Sequence, residues 1–323
     1  MEMRRVGRSG LAVSRLGLGT MTWGRDTDEH EAREQLDAFV DSGGTLIDTA
    51  ASYSQGRAER MLGSLLGTTV SRSELIIATK AGISRTSADV RVDVSRKALL
   101  DQLDDSLDRL DVDYVDLFQV QTWSDNAPLE ETLDALDYAV ASGRARYVGL
   151  SNYSGWQTAW ASIHQERAAT RASLISTQVE YSLLERGIER EVAPAAQQFG
   201  LGLLPWSPLG RGVLTGKYRS GTPADSRAAT PQLAAYVEPY LDGRCRKIVE
   251  AVCTAADGLG VHPLEVALAW VRDRPGVTAP ILGARTATQL DMQLQSEELE
   301  LPAEIRSALD EVSEPEIGYP ERF

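Results

Sequence analysis

Short apolar runs alternate with longer amphipathic stretches along almost the whole chain. The short runs are rich in β-branched residues and have the length of buried strands. The stretches between them repeat their apolar residues with helical spacing, and many begin near Asp or Ser and stop at Gly, as helix capping requires. Eight strands are predicted: LGLGT at 16–20, TLID at 45–48, ELIIATK at 74–80, YVDLFQVQ at 114–121, RYVGLS at 146–151, LISTQVE at 174–180, LGLLPWS at 201–207 and APILGA at 279–284.

Eight strand–helix units without a linker predict an α/β fold, a (β/α)8 TIM barrel formed by residues 1–323 as a single domain. The rival is an open doubly wound sheet, which places a G-x-G-x-x-G turn and a helix directly after its first strand. The first strand here runs into GLGTMTWG, which lacks the third glycine, so the barrel is preferred. Helices are predicted at 29–42, 57–66, 95–110, 129–142, 154–169 and 185–199.

Three segments lie outside the eight units. Residues 1–15 alternate around a Gly-rich turn and predict an N-terminal β-hairpin. Residues 208–242 form a long Gly/Pro-rich loop after the seventh strand, and loops of this length in compact domains are usually functional. The C-terminal region adds extra helices, one of them predicted at 302–313.

Composition narrows the class of partner. The formal net charge is −14 and no run of Lys or Arg forms a basic patch, so neither nucleic acid nor a membrane surface is an expected partner. No apolar run approaches the roughly 18–20 residues that cross a bilayer, and no apolar segment follows the charged N-terminus. Cys245 and Cys253, the only cysteines, lie eight residues apart in a predicted helix, too far for a disulfide. A cytoplasmic location is therefore predicted.

Barrel enzymes build their sites from residues at the carboxyl ends of the strands. Lys80 directly follows the buried strand LIIAT, and Asp48 ends the strand TLID, with Tyr53 five residues further on. A cation near a phenol lowers the phenol's pKa, so we expect Lys80, held by Asp48, to prepare Tyr53 for proton transfer. The alternative is that Lys80 and Asp48 only stabilise the rim. Sorting polar residues by this rule selects one set: Asp48, Tyr53, Lys80, Gln121, Ser151, Asn152, Gln178, Ser207 and Arg285.

The chain resembles the aldo-keto reductase family along nearly its whole length, in the bacterial branch that is also similar to potassium-channel β subunits. The likeness is carried by RRVGRSGLAVSRLGLGT, IDTAASY, IIATKAG, DYVDLFQV, VGLSNYS, TQVEYSLLER, LPWSPLGRGVLTGKY and PILGARTATQL. The resemblance implies reduction of an aldehyde or ketone by hydride from a nicotinamide cofactor. Tyr53 would protonate the carbonyl oxygen, with Lys80 and Asp48 tuning it.

The resemblance also implies the cofactor contacts. Ser151, Asn152 and Gln178 would bind the nicotinamide carboxamide, and Trp206 would stack on its ring. Arg285 at a helix N-terminus suits a 2′-phosphate, which favours NADP(H) over NAD(H). Gln293 stands where the family often has Asn, at the adenine contact. The further contacts implied are Gly19, Thr20, Met21, Asp48, Ser207, Leu209, Gly210, Arg211, Gly212, Lys217, Gly283 and Gln289.

Gln121 departs from the family's pattern, because LFQV is normally followed by His there. An amide can donate a hydrogen bond but cannot titrate near neutral pH. His30, His164 and His262 fall in or beside predicted helices, so none replaces the missing imidazole and no metal site is predicted.

Two functions remain open: an NADPH-dependent carbonyl reductase, and a nicotinamide-binding sensor or regulatory subunit with vestigial turnover. A metal-dependent barrel hydrolase lacks ligands. Trp23, Tyr53 and Trp123 are expected to line the pocket for a small carbonyl substrate. The sequence leaves open which carbonyl compound is reduced and whether the protein is a monomer or a homo-oligomer.

Overall fold

The computed structural model describes residues 1–85, 89–223, 226–229, 231–316 and 318–319. Eight parallel strands surround a barrel core, with helices outside, which confirms the predicted (β/α)8 fold. The strands are β1 Met3–Arg5, β2 Ala12–Ser14, β3 Gly17–Gly19, β4 Leu46–Asp48, β5 Ile76–Ala81, β6 Ile83–Arg85, β7 Val90–Val92, β8 Val115–Val120, β9 Ala145–Ser151, β10 Leu174–Glu180, β11 Gly202–Trp206 and β12 Ile281–Leu282. The helices are α1 Glu29–Asp41, α2 Arg57–Leu65, α3 Arg96–Leu110, α4 Leu129–Ala141, α5 Gly155–Glu166, α6 Val192–Phe199, α7 Pro231–Val237, α8 Gly243–Leu259, α9 Pro263–Arg272, α10 Ala287–Leu294 and α11 Ala303–Val312.

The barrel strands follow one another in the order β11, β10, β9, β8, β5, β4, β3, β12. The segment just before β12 then meets β11. The Leu203 N–H donates to Gly276 O, and the Leu203 carbonyl oxygen accepts from the Thr278 N–H, both at 2.9 Å. This contact brings the two ends of the sheet together, so all eight strands deliver their carboxyl ends to one rim.

Side chains two residues apart on a strand point to the same face, and this period places the site. At the amino end of the barrel, Leu46, Ala78, Leu117 and Leu204 form one buried apolar cluster. The residues two or four positions later on the same strands are Asp48, Lys80, Gln121 and Trp206. The barrel interior therefore changes from apolar to polar along each of these strands.

The predicted N-terminal hairpin is confirmed and closes the apolar end. β1 and β2 pair antiparallel from Met3–Ser14 to Arg5–Ala12. Val6, Leu11 and Val13 of this hairpin pack with the apolar cluster. The hairpin thus covers the end of the barrel opposite to the polar rim.

The helices follow capping and amphipathic rules. Asp28 caps α1, and Ser154 caps α5 through a capping box with Gln157. The prediction of one helix over 185–199 is wrong in its first half, where a single 3-10 turn at Gly187–Glu189 precedes α6. Pro194 then lies in the first turn of α6, where a missing N–H costs no helical hydrogen bond.

Two segments after barrel strands add structure at the rim. The short hairpin of β6 and β7 follows β5 and was not predicted. The predicted loop 208–242 contains a 3-10 segment at Gly210–Thr215 and the helix α7; its residues 224, 225 and 230 lie outside the described ranges. At the C-terminus, α11 confirms the predicted extra helix. Within the described ranges, no helix has the length and hydrophobicity that spanning a membrane requires.

Candidate active site

Two charged side chains meet at the carboxyl ends of β4 and β5. Lys80 Nζ donates to both carboxylate oxygens of Asp48, at 2.7 and 2.8 Å, and to the carbonyl oxygen of Thr49 at 2.8 Å. Both charged side chains are almost completely buried. Removing one member of such a pair leaves the other charge uncompensated, so the two are coupled in stability as well as in chemistry.

The phenol of Tyr53 lies beside this pair. Tyr53 opens a 3-10 turn after β4, and Lys80 Nζ lies 5.1 Å from the centroid of its ring. Burial raises the pKa of the Tyr53 phenol well above its ordinary value of 10, and the Asp48 carboxylate raises it further. Burial lowers the pKa of the Lys80 ammonium, an effect that Asp48 opposes. The expected lowering of the Tyr53 pKa is therefore wrong, because burial disfavours the charged phenolate and the nearby Asp48 carboxylate disfavours it further.

Two further residues hold Asp48. Gln178 Nε2 donates to Asp48 Oδ1 at 2.7 Å, and the Thr20 N–H donates to the main-chain oxygen of Asp48 at 2.9 Å. Gln178 is at a strand end, as predicted, but one of its amide hydrogens is directed to the carboxylate. Its proposed contact with a nicotinamide stays a prediction.

Gln121 lies at the end of β8 and is fixed from three sides. Its N–H donates to Ala81 O at 2.8 Å, and its own main-chain oxygen accepts from Asn152 Nδ2 at 2.9 Å. Its side-chain oxygen accepts from the buried Ser52 hydroxyl at 3.0 Å. Since Ser52 uses the amide oxygen, the amide NH2 is directed away from Ser52 and offers its hydrogens elsewhere. Sequence reasoning missed Ser52, although it directly precedes Tyr53.

Asn152 and Trp206 form a connected pair on neighbouring parts of the rim. Trp206 Nε1 donates to Asn152 Oδ1 at 3.0 Å, and the Asn152 N–H donates to Gln178 O at 3.0 Å. The indole of Trp206 is thereby held at the end of β11. Ser151, the last residue of β9, is buried next to them in sequence. The strand ends therefore bring together the residues predicted to contact a nicotinamide.

Arg211 is held by a carboxylate. Its guanidinium donates to both oxygens of Glu180, at 2.9 and 2.7 Å, and lies 3.8 Å from the centroid of the Tyr236 ring. Tyr240 Oη donates to the same carboxylate at 3.0 Å. The predicted cofactor contact of Arg211 stays a prediction, and its charge and several of its donors fasten the loop after β11 to β10.

Other residues of this loop differ in how they are placed. Gly210 and Gly212 have φ values of 54° and 92°, which side chains rarely adopt. A Cβ placed on Gly212 would lie 3.3 Å from Lys217 Nζ, so the ammonium approaches the loop backbone. Ser207 Oγ lies 3.4 Å from Tyr236 Oη. Leu209, in contrast, is buried against the core.

Tyr236 is a site residue that the sequence did not reveal. It comes from α7, in the long loop, and a negative charge on its oxygen would raise the Tyr53 pKa, so the two phenols are close enough to interact. Arg85 of β6 acts in the opposite direction on the same phenol. The hairpin β6–β7 and the long loop thus both approach Tyr53.

The residues before α10 form a second part of the site. Thr286 caps α10, and the Arg285 N–H donates to Gln289 Oε1 at 3.0 Å. Gln293 Nε2 donates to Gly283 O at 3.2 Å, while its Oε1 is buried with no hydrogen-bond partner among the described residues. A buried acceptor without a donor fits a ligand that carries an N–H group, such as the amino group of adenine.

Gly19, Met21 and Trp23, in β3 and the segment after it, lie in different environments. A Cβ on Gly19 would lie 2.9 Å from Leu282 O, so close strand packing alone explains this glycine. Met21 is 38% exposed beyond the end of β3. Trp23 has no exposed surface and donates from Nε1 to Gln35 Oε1 at 3.0 Å inside the core. The prediction that Trp23 lines the substrate pocket is not supported, because its whole side chain packs inside the core and its Nε1 is bound by Gln35.

Trp123 belongs to an aromatic cluster beside the rim. Its ring centroid lies 5.3 Å from that of Tyr153, 5.4 Å from that of Trp156 and 6.0 Å from that of Trp160. Trp156 and Trp160 are 55% and 42% exposed, whereas Trp123 is partly buried. Trp123, two residues after Gln121, therefore remains a candidate wall of the pocket.

Strained backbone marks the same rim. Among the described non-glycine residues, six have positive φ, and one of these is the helix C-cap Asp111. Such conformations cost of order 1–3 kcal/mol and concentrate at functional sites. The remaining five all lie in segments that follow barrel strands: Ser54, Gln55, Asn152, Ser207 and Arg211.

A cavity at the opposite end of the barrel is a weaker candidate. It encloses about 430 Å³ and is lined by residues such as Arg8, Tyr147 and Gln165. It has none of the strand-end residues of the rim. Within the described part of the chain, no group of three His, Cys, Asp or Glu side chains could hold a metal ion. The candidate catalytic and cofactor-binding residues therefore lie at the rim.

Comparison with known proteins identifies the family to which the chain is similar. The sequence profile of the aldo/keto reductase family matches residues 15–314. Protein tas of Escherichia coli is 37% identical, with 97% of each chain covered. An uncharacterized oxidoreductase, YrpG of Bacillus subtilis, is 35% identical, with 97% of this chain and 96% of the relative covered. A probable voltage-gated potassium channel subunit beta of Oryza sativa is 36% identical, with 90% and 89% covered. These matches confirm the expected resemblance.

Proposed function

Because the chain belongs to the aldo/keto reductase family, we propose that it is an oxidoreductase that reduces an aldehyde or ketone to an alcohol with NADPH. The observation that carries this proposal is the Tyr53 phenol beside the buried Asp48–Lys80 pair. These side chains come from two strand ends and the turn that follows one of them, and they are the acid and its supporting charges that carbonyl reduction requires.

The cofactor fits the residues at the rim. The held indole of Trp206 offers an aromatic face, and the unpartnered Oε1 of Gln293 offers an acceptor to an adenine amino group. Lys217 and Arg285 are the cations proposed for the phosphates. The dinucleotide, when bound, supplies the hydride. Arg285 is the residue on which the preference for NADPH depends, through its charge at the start of α10.

Tyr53 is the proposed general acid. Its raised pKa keeps the phenol protonated through the neutral range, so the proton is present when the carbonyl oxygen becomes basic. The oxygen that develops during hydride transfer is a far stronger base than phenolate, so proton transfer from Tyr53 remains favourable. Asp48 holds the Lys80 ammonium under the ring and thereby fixes the charge next to the phenol.

Gln121 is the proposed second donor to the same oxygen. Ser52 binds its amide oxygen, which leaves the amide NH2 free to point toward the barrel mouth. One preorganised donor to a developing oxyanion contributes about 10²–10³ in rate in well-studied enzymes. A neutral amide can contribute in this way without titrating, so the absence of His does not remove the reductase mechanism.

The proposed substrate class rests on the aromatic residues expected to line the pocket. Trp123 and the adjoining exposed indoles favour a carbonyl compound with a flat, partly apolar group. The acidic chain and the absence of a basic run favour a small molecule over nucleic acid. Two buried free cysteines are consistent with a reducing, cytoplasmic compartment.

The proposal is tested by following NADPH consumption over a panel of aldehydes and ketones, with the products identified. We expect alcohol formation that matches NADPH consumption, with best rates for aromatic carbonyl compounds. Binding of NADPH without reduction of any member of the panel would contradict the reductase.

That second outcome would support the other candidate, a dinucleotide-binding sensor or regulatory subunit with weak turnover. Gln121 in place of the usual His favours it, as does the similarity to relatives named as potassium channel β subunits. If this candidate is correct, Gln121→His raises turnover strongly while the Kd for NADPH stays unchanged.

A further inference from the structure

An acidic residue from the other end of the sequence lies at the N-terminus of α10. Glu31, in the first turn of α1, accepts the Ala287 N–H on Oε2 at 2.7 Å. The neighbouring Thr27 hydroxyl donates to Arg285 O at 3.0 Å, so the starts of α1 and α10 are joined. Ala287 is the first residue of α10 and lies two residues after Arg285. The carboxylate therefore uses one of the N–H groups that a helix start offers to an anion.

A second feature of the site around α10 points to a ligand. The buried Gln293 Oε1 has no hydrogen-bond partner among the described residues, although its own amide nitrogen is satisfied by Gly283 O and Gln289 O. Arg285, partly exposed, provides the cation. Glu31 thus adds a fixed negative charge to a site whose other features suit an adenosine phosphate.

We propose that Glu31 is a specificity-determining residue that limits the preference for NADPH over NADH. This inference rests on the proposed function. A 2′-phosphate carries between one and two negative charges at neutral pH, and a nearby like charge opposes its binding. The ribose hydroxyl of NADH is neutral, and a carboxylate can accept a hydrogen bond from it. Glu31 therefore disfavours NADPH and leaves NADH unaffected or better bound.

The charge can be removed without removing the hydrogen bond. Glu31→Gln keeps an oxygen that can accept the Ala287 N–H, so the junction between α1 and α10 is preserved. Glu29→Gln is the matched control, because Glu29 is an exposed carboxylate in the same turn and two residues along, which is about 200° around the helix. Both variants change the net charge by the same amount.

The experiment measures the Kd of each dinucleotide by titration calorimetry, at low and at high salt. We expect Glu31→Gln to tighten NADPH about fivefold to tenfold at low salt, with a smaller gain at high salt, and to leave NADH within twofold or weaker. Glu29→Gln should leave both values within twofold. An unchanged NADPH-to-NADH ratio in Glu31→Gln, with NADH still bound, would overturn the inference alone. If the wild type bound neither dinucleotide, the proposed function itself would be overturned.

Discussion

The two ends of the barrel are built from the same strands, yet one end stabilises the fold and the other holds the residues proposed for catalysis. On β8, Leu117 packs in the apolar cluster under the N-terminal hairpin, while Gln121, four residues later, faces the rim. On β5, Ala78 and Lys80 make the same change within two residues. Because the side-chain period of a strand is two, a single register determines both ends. Substitutions at the two ends should therefore affect different measurements.

The largest effect is expected for Tyr53→Phe at the rim. Loss of the proposed general acid should lower kcat by about 10²–10⁴ while the Kd for NADPH stays within twofold. The measurement is turnover with the best carbonyl substrate, together with a dinucleotide titration. Tyr153→Phe is the matched control, since Tyr153 is a buried phenol in the aromatic cluster. Undiminished turnover in Tyr53→Phe would remove the proposed mechanism.

A substitution at the opposite end of the barrel should lower the free energy of unfolding. Leu117 is 1% exposed, and Leu117→Ala removes apolar volume from the cluster below the site. Such substitutions cost about 2–5 kcal/mol in the free energy of unfolding. Urea denaturation should show this loss, while the Kd for NADPH at low temperature stays unchanged. A large change in Kd without a loss of stability would mean that the two ends are not separated as described.

Sequence reasoning located the strand ends well, because strand length and period are local properties. Asp48 and Lys80 were predicted as neighbours, and they make two hydrogen bonds. The eight strands were predicted to within two residues of their observed ends. The strand positions depend on residues adjacent in sequence, and the Asp48–Lys80 contact follows because parallel strands deliver their carboxyl ends to one rim.

Three residues were misplaced or missed because the sequence does not identify their contact partners. Arg211 was predicted only as a cofactor contact, and the sequence does not show that Glu180, 31 residues earlier, binds it. Trp23 was placed in the pocket, but it is packed in the core on Gln35. Glu31 was not considered because it meets Ala287 across 256 residues. Strand and helix patterns do not show these contacts, since they arise only when the strands, helices and loops pack together.

The Tyr53 pKa was mispredicted for a related reason. Proximity to Lys80 suggested a lowered value, but the sequence does not give the depth of burial or the compensation of Lys80 by Asp48. Burial of the phenol is the largest cause of the raised Tyr53 pKa, and the Asp48 carboxylate adds to it. The sign of a pKa shift in a charged cluster thus depends on all members of the cluster together.

A smaller effect is expected at the rim for Ser52→Ala, because Ser52 acts only through Gln121. Loss of its hydrogen bond should release the Gln121 amide and lower kcat about tenfold, less than the loss of a donor itself. Ser52→Thr keeps a hydroxyl and should restore most of the rate.

A double-mutant cycle distinguishes positioning from a general structural role. In a Gln121→Ala background, Ser52→Ala should cause no further loss of kcat, because the side chain it positions is gone. The measurement is kcat and KM for the four proteins with one substrate. Losses that multiply in the double variant would show that Ser52 acts independently of Gln121.

The smallest effect expected is the pH dependence of the wild type, and its smallness is informative. A raised Tyr53 pKa keeps the phenol protonated at every pH below that value, so the donor is lost only when pH rises above 10. Gln121 adds no ionisation of its own. We therefore expect kcat to vary less than twofold between pH 6 and 9.5. In Gln121→His, an imidazole with an ordinary pKa of about 6.5 should introduce a clear change on the acid side. A fall in wild-type kcat between pH 7 and 9 would show that Tyr53 loses its proton more easily than its burial beside Asp48 implies.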